Sequence, residues 1–151
     1  MTTARRALLP ALALLLAACS STGGATSPPA SAGTSTAPSV TRIEVRLTDA
    51  LKIEPAQFTV QAGVPVTFVV TNTGSSDHEF YLGDEVAQAA HGKKMAAMGG
   101  MGHDEPEGIA VKPGVTKELV YTFDEAGTSL AGCHVSGHYD LGMKATITVA
   151  G

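Results

Sequence analysis

Near its C-terminal end the chain reads Cys133-His134-Val135-Ser136-Gly137-His138-Tyr139-Asp140-Leu141-Gly142-Met143. A thiol, an imidazole and a thioether follow one another with four residues between each. Thiolate and imidazole with a weak axial thioether suit a copper ion that passes electrons. Zinc does not favour the thioether, and magnesium or calcium would ask for oxygen donors. The set lacks one imidazole, so a second His has to come from elsewhere in the chain.

The stretch joins two strand-like runs, Thr128 to Cys133 and Lys144 to Val149. Further strands are legible upstream. Ile43, Val45 and Leu47 alternate with Arg42, Glu44 and Arg46, the period of a half-buried strand. Phe58 to Val60 and the β-branched run Pro65 to Thr71 read as strands, the latter opened by Ala62-Gly63. His78 to Leu82 places Phe80 and Leu82 on the parity of His78, and Val115 to Phe123 follows the turn Lys112-Pro113-Gly114. Short strands separated by turn signals predict an all-β sandwich in a single domain over residues 41 to 151.

His78 is a good candidate for the missing imidazole. It opens a strand after Val69-Val70-Thr71-Asn72-Thr73-Gly74-Ser75-Ser76-Asp77. With Phe58, Ala62-Gly63, the strand Val66 to Thr71, Asn72 and His78, the segment from Ile53 to Phe80 resembles the N-terminal half of the cupredoxins. The loop from Cys133 to Met143 resembles their C-terminal ligand loop, with the spacing of rusticyanin, sulfocyanin and copper-resistance cupredoxins. That resemblance implies a Greek-key β-sandwich and one type 1 copper held by His78, Cys133, His138 and Met143. In it Met143 is the long axial donor and His138 the ligand nearest the surface, with Val135 and Leu141 forming an apolar rim. Asn72 is the side chain that would brace the ligand segments, or else an ordinary turn residue. Two positions depart from the family pattern: Glu79 stands where a small polar residue is usual, and Ser136 where proline is common. His134 is read as solvent-facing or as an outer neighbour of the site.

Between Gly83 and Gly108 the strand pattern breaks into one long Met/His/Gly-rich loop, with room for a helix between Val86 and Ala97. His91, Met95, Met98, Met101 and His103 are soft or imidazole donors and form a candidate second Cu(I) site. The alternative is that the methionines are adaptable filler at one end of the sandwich.

Upstream, Arg5 and Arg6 precede the apolar run Ala7 to Ala18, the organisation of a secretory signal over residues 1 to 18. Leu16-Ala17-Ala18-Cys19 resembles a bacterial lipobox, which implies lipidation at Cys19; residues 19 to 40 then form a Ser/Thr/Gly/Pro-rich tether. The two cysteines have separate explanations and are not read as a disulfide. The full chain carries a net charge of -4; without Arg5 and Arg6, eight basic residues face 14 acidic ones, a net of -6. An acidic chain argues against nucleic acid as partner. The expectation is a monomeric, membrane-anchored lipoprotein outside the cytoplasm that transfers single electrons with redox partner proteins and is not an enzyme. The alternative is a protein that stores or delivers copper in resistance, with copper-handling proteins as partners.

Overall fold

The computed structural model describes residues 41–151. The leader, Cys19 and the tether lie outside the described residues. Among the described residues, nine strands form two sheets. One has the order β2-β1-β4-β7, from Lys52–Glu54, Thr41–Thr48, Val66–Asn72 and Thr116–Tyr121. The other has the order β3-β9-β8-β5-β6, from Gln57–Gln61, Lys144–Ala150, Gly127–Gly132, His78–Gly83 and Gly108–Val111. β1 runs parallel to β4 and β3 parallel to β9, while the other pairings are antiparallel.

Residue choice follows position in the sandwich. In β1 the inward Val45 and Leu47 are buried and the intervening Arg46 is exposed, as the alternation predicts. β4 is central in its sheet, and every residue from Val66 to Val70 is buried; its β-branched content suits that place. Phe68 sits against both Phe58 and Phe80, with ring centroids 6.0 and 5.3 Å apart, which ties the sheets together. A fully buried aromatic side chain of this kind contributes roughly 1.5–3 kcal/mol.

The segment read as one long loop divides into a helix and a shorter connection. Helix α1 spans Glu85–Ala97. Asp84 caps its start by accepting from the Ala87 N–H at 2.8 Å, and Glu85 lies in the positive first turn. Its end is a double cap: the Gly99 N–H bonds to Ala96 O and the Gly100 N–H to Met95 O. Gly99 has φ 75, which explains the glycine there. Gln88, His91 and Met95 form the buried face of the helix. Because α1 packs against β5, even the alternate face of that strand is covered, and Glu79 is fully buried in it.

Candidate metal centre

The sandwich brings three of the four expected donors together at one end. His78 opens β5, Cys133 follows the last residue of β8, and His138 sits in the loop between β8 and β9. Cys133 Sγ lies 3.8 Å from His78 Nδ1 and 3.6 Å from His138 Nδ1. All three donor atoms lie within 4.8 Å of one another. Bonds of about 2.0 Å to nitrogen and about 2.3 Å to sulfur, set about 120° apart, separate sulfur from nitrogen by about 3.7 Å. The observed spacing therefore fits one ion in the plane of a thiolate and two imidazoles.

Met143 is fully buried in the cluster that also holds Cys133. The loop closes through its backbone: the Cys133 N–H donates to Met143 O at 3.1 Å, and the Met143 N–H donates to His138 O at 3.0 Å. Between them, Val135–Gly137 form a short 3-10 turn. Ser136 has φ 49 there, a conformation closed to proline, whose φ is locked near about -65°. This loop path therefore excludes proline at position 136. Val135 is buried rather than part of an exposed rim, whereas Leu141 is exposed.

Residues 40–150 match the family of copper-binding proteins described as the plastocyanin/azurin family. The chain belongs to this family. It is 36% identical over 107 residues to the copper-resistant cuproprotein CopI of Rubrivivax gelatinosus, covering 71% of this chain and 65% of that protein. It is 39% identical over 106 residues to the CopI of Vibrio cholerae, covering 70% of this chain and 63% of that one. The match thus spans a little under two thirds of either relative. Among solved structures, the reduced auracyanin of Roseiflexus castenholzii shares the fold at a TM-score of 0.66 and 24% identity, covering 74% of this chain and 98% of the auracyanin.

Copper is the metal of this cupredoxin, and the surroundings of the donors suit it. The Glu79 N–H donates to Cys133 Sγ at 3.3 Å. Burial pushes the Cys133 thiol up to about 11, while the Glu79 and Val135 N–H groups pull the other way. A bound cation displaces that proton, as thiolate ligation requires. Burial, with nearby His138, lowers the His78 pKa and favours the neutral ring a ligand needs. His78 Nε2 is 3.7 Å from Asp49 Oδ1 and makes no hydrogen bond. Asp49 in turn accepts from the Ser75 N–H, the Ser75 hydroxyl and the Ser76 N–H at 2.7, 2.8 and 3.1 Å, pinning the turn that leads to His78.

Asn72 is fully buried and braces the same turn. Its amide donates to Ser76 O and Val111 O, both at 2.8 Å, and its carbonyl accepts from the Gly74 N–H at 2.9 Å. It thus joins the approach to His78 to β6, with no hydrogen bond to the Cys133 loop. His134 is buried, not solvent-facing, and lies beside Glu79, Gln88 and Tyr139.

Of the five residues of the proposed second Cu(I) site, His91 and His103 lie with ring centroids 6.0 Å apart, both facing Glu105, and the methionines differ in burial. His91 is buried between Glu79 and Glu105, and Met95 is in the main core. Met98 and Met101 are exposed at 40% and 72%, and His103 is partly exposed. Met101 does share a cleft of about 320 Å³ with Val135, Ser136 and His138. Sequence reasoning missed the parts played by Gln88 and the Glu79 carboxylate. The signal for Gln88 was its spacing with His91 and Met95 on one helix face.

Proposed function

We propose that the chain is a type 1 copper protein that performs one-electron transfer outside the cytoplasm, in the setting of copper resistance. The observation that supports it is enclosure. Cys133, His78 and Met143 are essentially inaccessible, and only His138 among the proposed ligands reaches the surface. Such an arrangement admits electrons through one imidazole edge while obstructing exchange of the ion. When bound, copper supplies the Cu(II)/Cu(I) couple. The protein's part would be to hold two neutral imidazoles and a desolvated thiolate, with Met143 as a fourth donor, so that little rearranges between the two states. The shared name of the CopI relatives supports the resistance setting.

A second reading, copper storage or delivery, draws on the thioethers of Met98 and Met101 at the surface. In both readings the chain is anchored through lipid on Cys19, acts as a monomer and is not an enzyme. No helix among the described residues is long and apolar enough to cross a membrane. The deciding experiment reduces and reoxidises the copper-loaded chain repeatedly in the presence of a Cu(I) chelator. The carrier reading expects one copper per chain, retained through every cycle. Loss of the ion to the chelator on reduction, or a second Cu(I) that disappears on changing Met95, Met98 and Met101 to Leu, would favour copper handling.

A further inference from the structure

Helix α1 touches the surroundings of the metal centre twice, through Gln88 and His91. These residues stand three apart on one helix face and are 1% and 4% exposed. His91 Nε2 is 3.0 Å from Glu79 Oε2. The same carboxylate oxygen accepts from the His134 N–H at 3.4 Å. Gln88 uses its amide N–H groups on Tyr81 O and Leu130 O at 3.1 and 3.2 Å, which leaves its Oε1 as an acceptor. His134 Nε2 lies 2.8 Å from that oxygen and therefore carries the hydrogen. Glu79 follows the ligand His78, and His134 follows the ligand Cys133. The helix thus holds the residue after each ligand and links the two segments to each other.

The close approach depends on two missing side chains. A Cβ on Gly92 would stand 3.0 Å from His134 Nδ1, and one on Gly132 would stand 2.6 Å from Gln88 Oε1. On its far side His91 stacks on the Tyr81 ring, with centroids 3.7 Å apart, and its Nδ1 is 2.8 Å from Glu105 Oε1. Lys94 Nζ bonds the other Glu105 oxygen at 2.7 Å. Burying a carboxylate, an amide and two imidazoles between a helix and a sheet costs free energy that an apolar contact would not. The arrangement is directional in return: it fixes where the Glu79 carboxylate points.

We propose that Gln88 and His91 are positioning residues for the copper ligands, and that α1 is a clamp aiming the Glu79 N–H at the Cys133 thiolate. The inference rests on the copper site of His78, Cys133 and His138. Hydrogen bonding at the thiolate tunes the potential of such a site. A donor aimed at sulfur withdraws electron density and favours the reduced state, so loosening it lowers the potential.

The test compares two variants of the full chain. His91→Phe keeps a ring to stack on Tyr81 and removes the partner of Glu79; His91→Gln restores a donor. With copper loaded, His91→Phe lowers the midpoint potential and shifts the thiolate-to-copper band, and His91→Gln returns both towards wild type. In the metal-free chain, His91→Phe speeds hydrogen exchange of the Glu79 amide by about tenfold or more. A folded His91→Phe with wild-type potential, band and Glu79 exchange overturns the clamp, even if its thermal stability falls. If His91→Phe does not fold, Gln88→Met is read in the same way, and wild-type values in it overturn the clamp equally. A wild-type protein that binds copper without the band defeats the copper-site reading itself and not the clamp.

Discussion

The side-chain amide of Asn72 donates to the carbonyl of Val111 at 2.8 Å, joining the end of β4 to the end of β6 across the approach to His78. The same amide also holds Ser76 O. Asn72→Ala would leave both carbonyls and the Gly74 N–H without these partners, one of them, Val111 O, in the closed interior close to His78. The expected cost is about 1–3 kcal/mol, measured by urea unfolding of the metal-free chain. Copper affinity should fall with it, because the turn before His78 loses its brace. Wild-type stability would mean that water replaces the amide without loss.

Asp49 gives the acid side of the stability profile. Its hydrogen bonds from Ser75 and Ser76 hold its carboxyl down at about 2, below the ordinary value of 3.8. A folded-state pKa below the unfolded one stabilises the fold above the unfolded value, and that stabilisation is lost as pH falls through the folded one. Wild type should therefore exceed Asp49→Asn in stability at neutral pH. The gap should shrink between about pH 4 and about pH 2, as read from unfolding curves of the metal-free chain at several pH values. A gap independent of pH would assign the effect to packing.

Much of the site was legible because each donor stands next to a strand signal. His78 shares parity with Phe80 and Leu82, and Cys133 and Met143 bracket a loop between two β-rich runs. β2 and β6 were not read from the sequence: they are three and four residues long, too short to display alternation. Helix α1 was only half legible. Its buried face is Gln88, His91 and Met95, a mostly polar stripe that hydrophobic periodicity does not register, and Gly92 interrupts its interior. Glu79 shows the same limit. A charged residue alternating with apolar ones reads as solvent-facing, yet here the alternate face meets a helix.

Met143 carries a prediction about the potential. It is buried beside Cys133, and as the proposed weak axial donor it would be replaceable without loss of the other three ligands. Met143→Leu should keep the colour and raise the midpoint potential. Met143→Gln, offering Cu(II) a harder donor, should lower it. Potentials unchanged in both variants would remove Met143 from the ligand set.

The most direct measurement is the visible spectrum of the copper-loaded, oxidised chain beside that of Cys133→Ser. With Sγ at 3.8 and 3.6 Å from the two imidazole nitrogens, one ion would meet all three donors, and its bond to the thiolate would produce intense charge-transfer colour. Wild type should be strongly coloured, and Cys133→Ser should lose the band even where copper stays bound. A colourless copper-loaded wild type, or a serine variant that keeps the band, would contradict the assignment of Cys133, His78 and His138 as the copper ligands.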